Sequence, residues 1–142
     1  MNVAMILNEK GRDVVVHMGG TAITDVVRDL SQRGIGATVI TDEADRVVGI
    51  VSERDIMRAI ADSGAACLDQ PVSTIMTRNV ATCTEHDTVT DIMAKMTEGR
   101  FRHMPVVSSE RLVGIVSIGD VVKNHIAEVE MEANALRTYV AG

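Results

Sequence analysis

The chain has 142 residues and a formal charge of −6, with one Phe, one Tyr and no Trp. That length suits one compact domain or two very small ones, and it sustains a core without disulfide or metal staples. The negative charge opposes phosphate backbones and anionic lipid, and the scarcity of aromatics removes base-stacking platforms, so nucleic-acid and membrane-surface binding are disfavoured while a small anionic ligand met by local Arg is not.

The opening MNVAMILNEKGR is too short and wrongly flanked for a signal peptide. No later apolar run approaches the ~20 residues of a membrane span, and a cytoplasmic location is the expectation. Asp13–His17 (DVVVH) reads as a short β-branched strand. Thr21–Arg33 reads as a helix, with Ala22, Val26, Val27 and Leu30 on one face and Gly34 as its C-cap. Ala37–Thr41 is a second strand, TDEADR a turn, and Val47–Val51 a third strand. Ser52 then opens a helix to about Asp62, and a connector falls near Ser63–Val72. Beyond it the pattern predicts a strand at Val80–Cys83, a helix at Val89–Glu98, strands at Met104–Val107 and Leu112–Val116, and a helix from Ile118. Cys67 and Cys83 form no CxxC and read as reduced, partly buried thiols.

The second half repeats the first. Residues 49–55 read GIVSERD and residues 114–120 read GIVSIGD. Thr24-Asp25-Val26 matches Thr90-Asp91-Ile92, and Ile35–Ile40 aligns with Phe101–Val106, both at an offset of 66 residues. The offset changes by one residue only in the polar stretch TDEADR, where a turn tolerates length change. Each unit is therefore β-α-β-β-α, within an overall α/β (α+β) class. One such unit is too small to hide both faces of its sheet, so two of them packed sheet to sheet with pseudo-twofold symmetry are expected. The expected boundaries are 1–66 for the first repeat, 67–127 for the second and 128–142 for an extension of the last helix. In that last helix Val122, Ile126, Val129, Ala133, Leu136 and Val140 are spaced 4, 3, 4, 3, 4, which is an a/d pattern. It serves either packing back onto the chain, against Val3, Ile6 and Leu7, or contact with a second copy.

Two short motifs carry the chemistry. Ser52-Glu53-Arg54-Asp55 and Ser117-Ile118-Gly119-Asp120 each follow an apolar strand and open a helix. The plain structural reading is a capping box, with Ser at N-cap and the acid at N3. The functional reading rests on repetition in register and on place, because a strand-to-helix junction offers free N–H groups and a helix dipole to phosphate. A carboxylate can accept from both ribose hydroxyls, and Ser and Arg suit phosphate oxygens. One Ser can cap and bind at once. His17, His86 and His125 lack ligand spacing and read as ordinary edge or surface histidines, and no metal site is expected. The nine Met residues read as filler for a core short of aromatics, and Asp42-Glu43-Ala44-Asp45 as a solvated turn.

A G-h-x-[ST]-x-x-D signature occurring twice, each time closing a β-α-β-β-α unit, resembles the CBS domain family. His103-Met104-Pro105-Val106-Val107 is similar to that family's second-strand segment, and the resemblance covers about residues 3–126. The layout resembles the stand-alone bacterial and plant-organelle proteins that consist only of a CBS pair. The resemblance implies two symmetry-related clefts between the repeats, binding AMP, ATP, NAD(H) or S-adenosylmethionine, with the Asp on the ribose and the Ser on the ligand. Carried onto this chain, it implies one cleft using Ser52, Arg54 and Asp55, with Thr77, Val80, Ala81, Phe101, Arg102 and His103 opposite. The other would use Ser117 and Asp120, with Val14, Val15, Ile35, Gly36 and Ala37 opposite. On that mapping the first cleft gathers the cations Arg54, Arg102 and His103, and the second has only Lys10 or Arg12 to draw on.

The expected function is a regulatory, ligand-sensing module for an adenine nucleotide such as AMP, NADH or ATP, with no required cofactor. A homodimer and an unnamed target protein are the expected partners. The alternative is a structural dimerisation module with empty clefts. No nucleophile elbow, HExxH or P-loop is present, so an enzyme is not expected.

Overall fold

The structure, a computed structural model, describes residues 1–141. The chain divides into two compact units, one of residues 13–81 with 108–113, the other of residues 1–12, 82–107 and 114 onward. The fold is mixed α/β with two small sheets.

The first unit is built on a three-stranded sheet in the order β1-β2-β3. Strand β1 (Val16–His17) runs parallel to β2 (Ala37–Thr41), which pairs antiparallel with β3 (Val47–Ser52). Of the strand expected at Asp13–His17 only the last two residues form a ladder. Upstream the backbone still reaches β2 through Val39 N–H donating to Val15 O at 3.3 Å. The register shifts between Ile40 and Thr41, beside the turn where the two repeats differ in length. That turn is closed by Asp42, whose Oδ1 accepts from the N–H groups of Ala44 and Arg46 at 2.9 and 3.0 Å. The hydrogen bond from the Arg46 backbone, joined by those of Ala44 and the Arg46 side chain, holds the Asp42 carboxyl below its ordinary range. The acidic stretch is thus spent on its own turn.

Helix α2 (Ile23–Arg33) lays Ile23, Val26 and Leu30 on the sheet, and Gly34 ends it in the left-handed region at φ 65. Helix α3 (Glu53–Ser63) adds Ile56 to a core that also holds Ile40, Val51 and Val72. The connector after α3 folds into two 3-10 turns, Ala65–Asp69 and Val72–Thr74. His17 has more to do than an edge histidine. Its ring lies 2.7 Å from Thr38 Oγ1 and 2.9 Å from Asp29 Oδ2, and Arg33 Nε donates to Asp29 Oδ1. This chain of polar contacts ties β1, β2 and α2 together.

The second unit contains three helices and most of a hairpin, whose residues 108–113 are counted with the first unit. Helix α1 (Val3–Lys10) buries Val3, Ile6 and Leu7; α4 (Val89–Gly99) buries Val89, Ile92 and Met96. The hairpin pairs β4 (His103–Ser108) with β5 (Arg111–Ser117), and α5 (Ile118–Ala141) follows at once. The strand expected at Val80–Cys83 does not form. Only Cys83 makes a bridge, parallel to Val106, because one residue of extended chain meets β4 before the Thr84–Asp87 turn closes. Cys83 is buried there, and desolvation first, with the Asp87 charge second, pushes its thiol up to about 12. Both cysteines are free and buried.

The α1 helix is not legible as an element in the periodicity reading above. Its markers are nonetheless local. The Asn2 side chain accepts from Met5 N–H as N-cap, and Gly11 at φ 99 stops the helix. Among the described residues no helix is long and apolar enough to cross a membrane.

Candidate ligand-binding site

The two GIVS segments are placed in the same way. Gly49 lies under Met76 and Gly114 under Leu7, so close that a Cβ at either would stand 2.5 and 2.8 Å from those side chains. Each glycine therefore admits a covering residue onto its strand, three residues before the Ser at the strand's carboxyl-terminal end.

At the first motif Ser52 caps α3 with extended backbone, and its Oγ accepts from Asp55 N–H at 3.3 Å. Asp55 Oδ2 accepts in return from Ser52 N–H at 2.9 Å and from Ser52 Oγ–H at 3.1 Å. The second motif repeats this geometry. Asp120 N–H donates to Ser117 Oγ at 3.2 Å, and Asp120 Oδ2 accepts from Ser117 N–H at 2.9 Å and Ser117 Oγ–H at 3.0 Å. Both are capping boxes, so the plain structural reading holds at each. Among the described residues every hydrogen bond to either carboxylate falls on Oδ2. The cap geometry at each junction uses Oδ2 and does not require Oδ1.

The neighbours differ. Glu53 N–H donates to Gly36 O at 2.9 Å, which seats Ile35-Gly36-Ala37 beside the Ser52 motif. Ile50 and Thr77 exchange backbone hydrogen bonds at 2.9 and 3.0 Å, bringing Thr77 to the same end of β3. Val14, Val15, Arg54, Val80 and Ala81 belong to this unit too. At the other motif Ile118 N–H donates to Arg102 O at 2.8 Å, which seats Phe101-Arg102-His103 beside Ser117. Lys10 Nζ donates to Asp120 Oδ2 at 2.6 Å and to Ile115 O at 3.0 Å. Arg12 turns elsewhere, to Asn8 and Glu85.

Within each repeat the Arg102 backbone is bonded to the Ser117 motif and the Gly36 backbone to the Ser52 motif. The reason is the β-hairpin. The residue before the first hairpin strand lies beside the residue after the second, so 36 meets 53 and 102 meets 118 within each repeat. The Ser117 motif has on its carboxylate Lys10, one of the two cations expected within its reach, and the Arg102 backbone alongside.

The Asp120 carboxylate is half-buried. Burial works to raise it, but the hydrogen bonds from Lys10 and Ser117 and the Lys10 charge outweigh burial and hold it below the ordinary carboxylate range. Asn124 Nδ2 donates to Asp120 O at 2.7 Å and stiffens the same turn. The junction is chemically an acceptor for hydroxyls flanked by a primary ammonium and by the N-terminal end of a helix of 24 residues.

Comparison with known proteins adds to this geometry. The family profile described as CBS domain matches residues 11–62 and again 72–126. A relative from Arabidopsis thaliana, the mitochondrial CBS domain-containing protein CBSX3, is 35% identical over 124 residues, which are 84% of this chain and 60% of that one. The chain thus spans less than two-thirds of that relative. The crystal structure of the CBS-domain containing protein ATU1752 from Agrobacterium tumefaciens is 46% identical, with a TM-score of 0.85 over 88% of this chain and 99% of that one. The CBS domain pair of protein MJ0100, solved in complex with 5-methylthioadenosine and S-adenosyl-L-methionine, is 28% identical, with a TM-score of 0.80 over 90% of this chain and 98% of that one. The CBS domain protein PAE2072 from Pyrobaculum aerophilum, complexed with AMP, is 32% identical, with a TM-score of 0.75 over 84% and 89%.

Proposed function

The chain belongs to the CBS domain family, and from that premise we propose that it is a regulatory module that binds an adenosine-containing ligand and carries no catalysis of its own. The observation that supports this most is the pair of Ser-x-x-Asp boxes repeated in register, each closing its cap through carboxylate Oδ2. A ribose diol matches the other carboxylate oxygen, and similar CBS proteins take AMP, S-adenosyl-L-methionine and 5-methylthioadenosine.

The ligand we favour is an adenine nucleotide such as AMP or NAD(H), with its ribose on Asp120 and its phosphate drawn to Lys10 and Arg102. Ser52, Arg54 and Asp55 form the second ribose-binding junction, with Val14, Val15, Ile35, Gly36, Ala37, Thr77, Val80 and Ala81 as the apolar and backbone surroundings of the bases. Ser117, Phe101 and His103 complete the first. The module works as a homodimer and passes its signal to a separate target protein. The reading of a dimerisation module without ligand draws on the exposed apolar stripe of α5 and is compatible with the same fold.

Isothermal titration and thermal shift with AMP, ADP, ATP, NADH and S-adenosylmethionine test the proposal. A ligand at 100 times its Kd adds about 2.7 kcal/mol of stability. At least one compound should give heat and a raised Tm; neither response from any of the five would sink the ligand-sensing reading.

A further inference from the structure

Helix α5 has two faces with different fates. Val121 and Asn124 are buried and His125 and Glu128 half-buried, a face at helical spacing held against α1 and α4. Lys123 reaches Glu9 at 3.0 Å, and the chain's amino terminus reaches Glu128 at 3.4 Å on the same side. Beyond Glu128 no described residue of α5 is buried. The other face carries Val122, Ile126, Val129, Leu136 and Val140, exposed by 40, 52, 49, 64 and 77%. A monomer would leave this stripe in water along five turns of helix, which a soluble surface rarely does.

We infer that this stripe pairs in parallel with the same stripe of a second copy, forming a short two-stranded coil at the carboxyl-terminal end of the chain. The inference rests on the homodimer of the proposed function and fixes its surface and its direction. The spacing sets Ile126, Ala133 and Val140 at a and Val122, Val129 and Leu136 at d. Five of these six positions are branched aliphatics and the sixth is Ala133, so the seam is apolar at every a and d position, as a coiled coil requires.

Charge decides the direction. In a parallel pair a g residue faces the e residue five positions on in its partner. Glu132 at g then meets Arg137 of the second copy, and His125 meets Glu130, twice each by symmetry. An antiparallel pair overlapping over 122–140 brings e to e and g to g. Glu130 then meets its own copy, Glu132 meets its own copy, and Lys123 meets Arg137. Every charged contact of that arrangement is repulsive. Glu130, Glu132 and Arg137 are all exposed and free to face a partner helix.

Light scattering and sedimentation equilibrium on the full chain test this, with melting curves to verify that each variant folds. Wild type should run at about twice the 15.3 kDa chain mass. Leu136→Glu removes the stripe at an exposed position and should give a folded monomer. Arg137→Glu should weaken the dimer by about tenfold, and Glu132→Arg added to it should restore the affinity. A dimer unmoved by Leu136→Glu would overturn the inference and leave the homodimer standing on another surface. A tighter dimer for Arg137→Glu alone would also overturn it, since only the antiparallel pair sets Arg137 against Lys123. A wild-type monomer at tens of micromolar would remove both the coil and the homodimer, with ligand binding still judged by titration.

Discussion

The two Ser-x-x-Asp junctions are near copies in backbone and cap, and they part company in what reaches the carboxylate. Asp55 sits on a helix whose first turn adds Glu53 and Arg54, beside the small, uncharged Gly36-Ala37. Asp120 sits on a helix whose first turn is Ile118-Gly119, beside Arg102, and receives Lys10 from α1. A repeat can therefore keep one geometry and still differentiate, because the box is built from residues inside the motif while the charge around it comes from elsewhere in the chain. Capping, which both keep, cannot explain the difference.

The largest expected effect separates the two carboxylates. Asp120→Ala should weaken AMP binding by about 1.5–3 kcal/mol, the range for hydrogen bonds to a charged group. Asp55→Ala should leave that high-affinity event in place. Titration calorimetry of both variants reads this directly. If Asp55→Ala abolishes AMP binding and Asp120→Ala spares it, the cation-rich junction is not where the nucleotide sits.

A smaller effect distinguishes phosphate from ribose. Lys10→Met should lower affinity for AMP by several-fold while leaving adenosine affinity unchanged or slightly improved, since the ammonium no longer competes for Asp120 Oδ2. The AMP contribution should also fade with added salt in wild type and not in the variant. An equal loss for AMP and adenosine would mean that Lys10 shapes the junction without meeting phosphate.

Much of this was legible beforehand, and the misses share a cause. The ladder Ala37–Thr41, helix α4 from Val89 and the Ser52 and Ser117 caps follow from local pattern, and the repeat offset made each half vouch for the other. Asp13–Val15 looked like strand because β-branched residues dominate it, but a ladder also needs a partner, and β2 reaches only to Val16 and His17 in register. The seating of the Arg102 backbone beside Ser117 is likewise a matter of tertiary pairing. Which motif a segment faces depends on hairpin pairing, and pairing is not written in the motif. Helix α1 was hidden by its length, since eight residues give little periodicity to detect. Its caps at Asn2 and Gly11 were the available signal, and with them the Lys10–Asp120 pair came within reach.

The smallest effect concerns acid stability and isolates that pair. The Asp120 carboxyl titrates below its ordinary value in the folded chain, with burial opposing and the Lys10 and Ser117 contacts prevailing. A carboxyl lowered on folding stabilises the fold above its unfolded pKa, which is about 3.9, and that stability drains away as pH falls through the folded value. Lys10 and Asp120 keep 32 and 24% of their side chains exposed, so water and salt screen them and the pair adds about 1 kcal/mol or less. Lys10→Met keeps the length and apolar stem of the side chain and removes the charge. Melting curves of wild type and Lys10→Met between pH 8 and 3 should therefore show wild type ahead by about 2–4 °C at neutral pH. The gap should narrow below about pH 5 and go on closing as pH falls through the lowered folded value, because protonated Asp120 has no charge for Lys10 to meet. Comparing the two curves cancels every other carboxylate in the chain. A gap that stays constant down to pH 3 would show that Lys10 supports α1 through packing alone, and the electrostatic difference between the two junctions would then have no thermodynamic weight.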